Sequence, residues 1–188
     1  MKEVAAAIQS NNYEVMEDGK IFIPRTNVII GGIFTVDHYR EGDLLSSDSS
    51  HNIMVNEGLN HVLSVLVAGT TQIDPWYVAL FEGNYTPIAG DSASDIASNS
   101  TETTAYDESV RQTYVEGTAS GQSIDNSASK ASFTMNATKT IYGGFLASIN
   151  TKSGTTGTLL CASRFDASKS VVATDVLDIQ YTLSASDA

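Results

Sequence analysis

Cysteine is almost absent from this chain, because Cys161 is the only one among its 188 residues. A single cysteine excludes an intrachain disulfide, and its place in the apolar run 159–161 predicts a buried, unreactive thiol. Histidine is nearly as scarce. None of His38, His51 and His61 is followed by another histidine or a cysteine two to four residues later. The spacing typical of a zinc site is therefore missing, and we predict no metal ligands.

Long apolar runs and basic residues are also in short supply. No apolar run approaches the roughly 18 residues of a membrane span, and the apolar stretch near the N-terminus is too short for a secretory signal. We therefore expect synthesis in a bacterial cytoplasm and no membrane partner. Ten Lys and Arg residues against 22 Asp and Glu residues give a net charge of −12, which repels phosphate backbones and argues against nucleic-acid binding.

Motifs that carry catalytic chemistry are missing as well. The sequence has no G-x-S-x-G element around a nucleophilic serine and no glycine-rich phosphate loop. Asp91 and Asp95 lack the spacing and the closing glutamate of an EF-hand loop, so we predict solvated surface residues there. Asp107 and Glu108 are adjacent acids on a predicted turn, a common arrangement outside glycosidases. We predict a protein that is not an enzyme, with no catalytic residue and no cofactor.

The strongest structural signal in the chain is a helix predicted over about 56–68. Asn56 is the predicted N-cap and Gly69 the left-handed stop, with Glu57 at the positive end of the helix dipole. Four apolar residues recur at helical spacing and predict a stripe that packs on the rest of the protein: Leu59, Val62, Leu63 and Leu66.

Most of the remaining chain is predicted to be β-sheet. Residues 76–81 are apolar on both alternating faces, which indicates a central strand. Two glycine pairs, at 31–32 and 143–144, predict bulges or bends where the chain passes from one sheet to another. The other predicted strands are 19–24, 28–36, 51–55, 112–116, 130–136, 139–149, 158–163 and 175–184, with turns at 41–43, 46–50 and 120–122. Eight or so strands with one helix predict an all-β, antiparallel β-sandwich.

The predicted domain organisation has three parts. Residues 1–18 form an N-terminal arm that is ordered only against a neighbour, because a single short helix is marginal in water. Residues 19–188 form one β-sandwich domain. Within it, the segment 83–103 is a long, polar, low-complexity loop, and its composition fits both a solvated loop and a binding segment.

Three stretches resemble small virion proteins of tailed bacteriophages. They are NIMVNEGLNHVLSVL at 52–66, PWYVALFEGNYTP at 75–87, and the C-terminal TIYGGFLASINTKSGTTGTLLCASRF with VVATDVLDIQYTLSAS. The resemblance covers roughly residues 28–185. It implies a jelly-roll-like β-sandwich and a virion structural protein, a capsid decoration or cement protein that binds the major capsid protein and stabilises the shell. The resemblance carries over no partner-binding residue. Because a shell repeats one contact many times and weak contacts add up within an oligomer, we also expect a homo-oligomer, a dimer or a trimer set by the local symmetry of the shell.

Two other functions stay open from the sequence. The first is a phage tail or adsorption-apparatus component that binds a host surface glycan, since Trp76, the tyrosines and the polar loop could contact sugar rings. The second is a small hydrolase, although the sequence contains no motif that supports it. Core packing is the stronger interpretation of the aromatic residues on predicted strands, which are Trp76, Phe81, Phe133, Tyr142, Phe145 and Tyr181.

Overall fold

The computed structural model describes residues 14, 15, 17, 20–22 and 28–187. Apart from residues 14, 15 and 17, the arm predicted at 1–18 lies outside the described residues. The helices are α1 (Asn56–Val67) and α2 (Ala93–Asn99). The strands are β1 (Glu14–Val15), β2 (Ile21–Phe22), β3 (Val28–Arg40), β4 (Asp43–His51), β5 (Ile53–Met54), β6 (Trp76–Phe81), β7 (Gln112–Tyr114), β8 (Ser123–Asp125), β9 (Ala131–Thr134), β10 (Lys139–Ala147), β11 (Leu159–Val171) and β12 (Val176–Asp187).

The chain divides into two compact units. The first consists of residues 1–30 and 185–188, and in it β1 and β2 pair antiparallel. The second consists of residues 31–184 and holds both helices and nearly all of the two larger sheets.

Two antiparallel sheets make the fold an all-β sandwich, as the sequence predicts. The first sheet has the strand order β5-β11-β10-β6-β7, and the second has the order β4-β3-β12-β8, with β9 also pairing β12. Pairs of aromatic rings connect the two sheets. The ring centres of Phe34 in β3 and Phe165 in β11 are 6.3 Å apart, and those of Tyr181 in β12 and Tyr114 in β7 are 5.9 Å apart. Alternate residues of β9 and β12 point into this core, since Ala131, Phe133, Leu177, Ile179 and Tyr181 are all buried.

One glycine of each pair, Gly32 and Gly143, occupies a position where other atoms of the chain fill the space of a side chain. At the second pair the β10–β11 register shifts between Ile141 and Gly143, as a bulge requires. A Cβ at Gly143 would overlap the Phe81 ring and the Ser163 carbonyl oxygen. At the first pair, a Cβ at Gly32 would overlap the Tyr181 hydroxyl. These glycines therefore allow close approach of strands and rings.

The predicted helix and central strand are both present. Strand β6 covers the predicted residues and lies between β10 and β7. Helix α1 matches its prediction to one residue at its end, where Gly69 has a φ of 68°. The predicted N-cap is wrong: Val55 is the N-cap residue, extended and without a side-chain cap, because its buried side chain draws it into the core.

The segment 83–103, predicted as a polar loop, contains helix α2 and packs against the outer face of the first sheet. Ala93 and Ile96 are buried together with Phe81 and Phe145 of that sheet. Ser92 caps the helix, since its Oγ accepts from the Asp95 amide at 3.3 Å while the Asp95 carboxylate accepts from the Ser92 amide at 2.9 Å. The many small side chains of segment 83–103 thus allow α2 to pack close to the first sheet.

Strand β4 was predicted in part as a turn at 46–50, and that prediction is wrong. Its serines line a strand edge that faces the second half of β11. The Ser50 Oγ accepts from the Asp166 amide at 2.8 Å, and the Ser163 Oγ donates to the His51 carbonyl at 2.9 Å. Lys169, which is 3% exposed, donates to Asp48 and to the Ser46 Oγ. Side-chain hydrogen bonds therefore close the sandwich along this edge.

Candidate partner-binding surfaces

The three histidines do not converge on a metal site. His38 Nε2 hydrogen-bonds Asp175 at 2.8 Å, and His61 accepts from the Ile73 amide while its ring lies 5.6 Å from Trp76, edge to face. His51 is exposed on β4. Within the described ranges, no group of three or more His, Cys, Asp or Glu side chains is placed to hold a metal ion.

The acidic candidates serve local turns. Asp91 was predicted to be solvated, but it is 4% exposed and accepts from the Tyr85 hydroxyl and the Ile88 amide, each at 2.9 Å. Glu108 accepts from the Thr134 amide at 3.1 Å, so its carboxylate holds the turn against β9. Neither contact pairs two carboxylates across a cleft.

Burial is confirmed for Cys161, which is 0% exposed in β11. Burial raises the pKa of its thiol to about 11, so the reactive thiolate is scarce at neutral pH. Nearby, Asn52 donates to the Tyr181 hydroxyl at 3.0 Å, which ties the polar tip of a buried ring to the edge of the core.

A fully buried ion pair joins two loops on the outer face of the first sheet. Arg111, which is 1% exposed, donates to Glu102 through Nε at 3.0 Å and Nη2 at 2.6 Å. It also donates to the carbonyls of Ile149 and Gly154, each at 3.0 Å, and its guanidinium lies 5.1 Å from the Phe145 ring centre. No sequence motif marks this pair, since its members are nine residues apart on irregular backbone.

A second buried carboxylate fixes the turn end of the β3–β4 hairpin. Asp175 is 0% exposed and accepts from Arg40 Nε and Nη2, from His38 and from the Val172 amide, at 2.8 to 2.9 Å. The hydrogen bond from Arg40, followed by that from the Val172 amide, outweighs burial and holds the pKa of Asp175 well below its usual range. The end of β3 is therefore tied to the β11–β12 turn.

Helix α1 presents an apolar face to solvent, where the sequence predicts a stripe packed on the sheet. Leu63, Leu66 and Val67 are 57%, 70% and 85% exposed, and we call these three residues the α1 face. Only Gly58 of this helix is buried. The prediction that the whole stripe packs inward is therefore wrong: Leu59 and Val62 are half-buried, while Leu63 and Leu66 point away.

Three contacts fix the orientation of α1 and explain this exposure. A Cβ at Gly58 would overlap the Leu160 carbonyl oxygen, so the helix backbone lies directly on β11 at its glycine. The Glu57 carboxylate accepts from the Ala93 amide at 3.2 Å and also from the Leu159 amide. His61 packs on Trp76. Because Gly58, Glu57 and His61 form the face of α1 that contacts the sheet, the helix cannot rotate to bury Leu63 and Leu66.

The tip of the β3–β4 hairpin exposes two adjacent leucines. The turn at Glu41 and Gly42 has φ values of 52° and 88°, as in the two-residue turns that match strand twist. The register pairs Tyr39 with Leu44 but His38 with Ser46, so Leu45 is the extra residue of a bulge. Because a bulge breaks the alternation of side chains, Leu44 and Leu45 are both exposed, at 53% and 51%. We call these two residues the hairpin tip.

An open depression of about 590 Å³ lies beside the turn end of β3 and is lined in part by Arg40 and Lys139. Both cations already have partners, Asp175 at 2.8 Å and Glu82 at 2.7 Å. This depression therefore has little spare charge for a ligand, and the two apolar surfaces are the better candidates for binding.

Among the residues that the structure describes, no helix is long and apolar enough to cross a membrane. No protein-family model matches the chain, and no curated protein matches its sequence.

Proposed function

We propose that this protein is a capsid decoration protein of a tailed bacteriophage, which binds the major capsid protein through its hairpin tip and stabilises the shell. The proposal joins two supports. One is the resemblance of residues 28–185 to small virion proteins. The other is the exposure of Leu44 and Leu45 on a rigid body, which is the observation that carries the choice of surface.

The hairpin tip has the chemistry of an anchor for a protein partner. Fully burying an exposed leucine side chain contributes about 1.5–3 kcal/mol, and each of these leucines is already about half-buried, so the two together supply about 1.5–3 kcal/mol at one contact. Asp175 holds the turn end of the hairpin through Arg40 and His38, next to Leu44 and Leu45, so the tip is ordered before binding and loses little conformational freedom. The fully buried core of a protein interface is more apolar than its rim, and the two leucines suit such a core.

The buried charges described above support a structural role. Arg111 with Glu102, and Asp175 with Arg40 and His38, hold loops and a hairpin of the protein's own fold. Each carboxylate is saturated by internal donors, so these groups contribute to rigidity. A decoration protein needs such a rigid body, because a shell repeats one contact many times and weak contacts add up when several are engaged together.

A shell-binding experiment tests the proposal. Purified shells that lack the protein are incubated with wild type, with the double variant Leu44→Ser/Leu45→Ser, and with Ile88→Ser, which removes a 59% exposed side chain elsewhere. We expect wild type and Ile88→Ser to co-sediment with shells and to raise the temperature at which shells disassemble. We expect the double variant to bind at least ~10-fold more weakly, since it loses at least ~1.5 kcal/mol of burial.

Two outcomes would contradict the proposal. If wild type neither binds shells nor changes their heat resistance, the protein is not a decoration protein. If the double variant, folded as judged by its thermal unfolding, binds as well as wild type, the hairpin tip is not the contact. Saturable binding to a host glycan, with labelled protein on the tail in particle images, would favour the adsorption-apparatus alternative.

A further inference from the structure

We infer that the opening between the two sheets is a binding pocket for a small alkylammonium group, such as the trimethylammonium group of choline. The pocket is a cavity of about 140 Å³ that is lined by three aromatic side chains and by one exposed carboxylate, that of Glu116. None of its lining residues belongs to the hairpin tip, so this inference goes beyond shell binding.

The fold leaves the cavity where the last strands of the two sheets approach each other. Strand β7 ends the order of the first sheet and β8 that of the second, and the Tyr114 hydroxyl of β7 lies 3.5 Å from the Ile124 carbonyl oxygen of β8. The inner wall consists of buried residues from both sheets, Leu146, Leu160 and Tyr181. Because both sheets fix these residues, the cavity is preformed and a ligand enters without reorganising the core.

The aromatic side chains of the pocket suit a cation. Trp76, Tyr114 and Tyr181 all line the cavity. The ring centres of Tyr114 and Tyr181 are 5.9 Å apart and the two rings are inclined at 66°, so they form adjacent walls. The electron-rich faces of such rings attract cations, and groups of aromatic rings recognise quaternary ammonium ligands.

The hydroxyl groups of the pocket argue against a sugar. The Tyr114 hydroxyl donates to the Tyr181 carbonyl at 3.2 Å, and the Tyr181 hydroxyl accepts from Asn52 at 3.0 Å, so both already have partners within the protein. The other polar side chains of the lining are Gln72 and Glu116. A sugar would leave hydroxyl groups without partners there, whereas a quaternary ammonium group has no N–H to satisfy. Typical ligand pockets measure about 300–1,000 Å³, so this smaller cavity holds a single small group.

Charge favours a cation over a neutral molecule. Glu116 is the one charged residue among the described lining residues, which include no Lys, Arg or His. Burial, followed by the nearby carboxylates of Asp125 and Glu116, raises the pKa of Tyr114, so both carboxylates act on the wall of the cavity. A neutral ligand would remove water from Glu116 without compensation, whereas a cation pairs with it.

Titration of the full chain with choline chloride tests the pocket. The controls are sodium chloride at equal ionic strength and dimethylbutanol, the neutral analogue in which carbon replaces the ammonium nitrogen. We expect choline to bind saturably and to change the fluorescence of Trp76, the single tryptophan, which lines the cavity. We expect the neutral analogue to bind at least ~10-fold more weakly, since it lacks the attraction of a cation to the rings and to the carboxylate.

Three variants, measured by titration calorimetry, test the residues. Glu116→Gln keeps the shape of the side chain and removes its charge, so it should bind choline about 3-fold more weakly and the neutral analogue equally. Asp107→Asn is the matched control, since it removes an exposed carboxylate outside the cavity, and it should bind like wild type. Trp76→Leu removes one ring and should bind choline about 10-fold more weakly, with its folding checked by circular dichroism.

The inference is overturned if choline does not bind saturably, if the neutral analogue binds as tightly as choline, or if Glu116→Gln and Asp107→Asn behave alike. Phosphatidylcholine vesicles distinguish two sources of the ligand. Co-sedimentation that free choline competes away would place the group on a lipid, and binding of free choline alone would place it on a small molecule; either result supports the pocket. A protein that does not bind choline but still binds shells overturns only this inference and leaves the proposed function standing.

Discussion

The buried pair of Arg111 and Glu102 gives the sharpest stability prediction. Arg111 makes four hydrogen bonds, two to Glu102 and one each to the carbonyls of Ile149 and Gly154. The variant Arg111→Met keeps an aliphatic stem over the Phe145 ring but removes all four donors. The Glu102 carboxylate, 6% exposed, is then left with a donor from the Ser153 amide and no cation.

The size of the effect follows from that uncompensated charge. Breaking a buried ion pair by removing one partner costs about 3–5 kcal/mol, mostly because the remaining charge stays out of water. Since domains of this kind are stable by about 5–15 kcal/mol, we expect Arg111→Met to lose about a fifth or more of the free energy of unfolding. Replacing both partners, in Arg111→Met/Glu102→Gln, removes the stranded charge and should cost less than the sum of the single variants.

Urea unfolding measures these free energies, and the single tryptophan, Trp76, reports the transition through its fluorescence. Arg164→Met is the matched control, because Arg164 is exposed and its described partner is the side chain of Asn84; we expect a change within about 0.5 kcal/mol. The reasoning is refuted if Arg111→Met costs less than about 1 kcal/mol, or if the double variant loses as much as both single variants together.

Two further predictions concern other buried polar groups. Asp175→Asn should cost about 2–4 kcal/mol at neutral pH, since it removes the anion shared by Arg40 and His38. Because the pKa of Asp175 is lowered in the folded state, its contribution is present above the unfolded pKa of about 3.9 and is lost as pH falls further. Urea unfolding at several pH values should therefore show the gap between wild type and variant narrowing below about pH 4, and a constant gap down to strong acid would contradict this. Tyr106→Phe should be neutral or stabilising by up to about 1 kcal/mol, because the buried Tyr106 hydroxyl has no hydrogen-bond partner among the described residues; a clear loss in thermal unfolding would show that the hydroxyl is satisfied.

The elements with strong periodicity were predictable from sequence. The strand Trp76–Phe81 and the helix Asn56–Val67 were placed almost to the residue, because a doubly apolar run and a spaced apolar stripe have few alternative structures. The alternation around Phe133 likewise placed β9 and its buried face. Fold class follows from these local patterns, and the sandwich was predicted correctly.

The candidate surfaces were not predictable, because they depend on which neighbour each element meets. Periodicity shows that α1 has an apolar stripe, but the packing contacts of Gly58, Glu57 and His61 decide that part of the stripe faces solvent. Leu45 is exposed because of a bulge, and no residue of β4 indicates this bulge in the sequence. Arg111 and Glu102 meet through irregular backbone, where spacing carries no information.

The serine-lined closure between β4 and β11 bears on how the protein behaves when it is abundant. A bare strand edge is a template for runaway strand addition and fibril growth. Here the Asp166 amide is taken by Ser50 and the His51 carbonyl by Ser163, while Lys169 is drawn across the gap to Asp48. Because these backbone groups already have hydrogen-bond partners, they are not available to an extended segment of another molecule. At high concentration, the edge between β4 and β11 is therefore protected from strand addition.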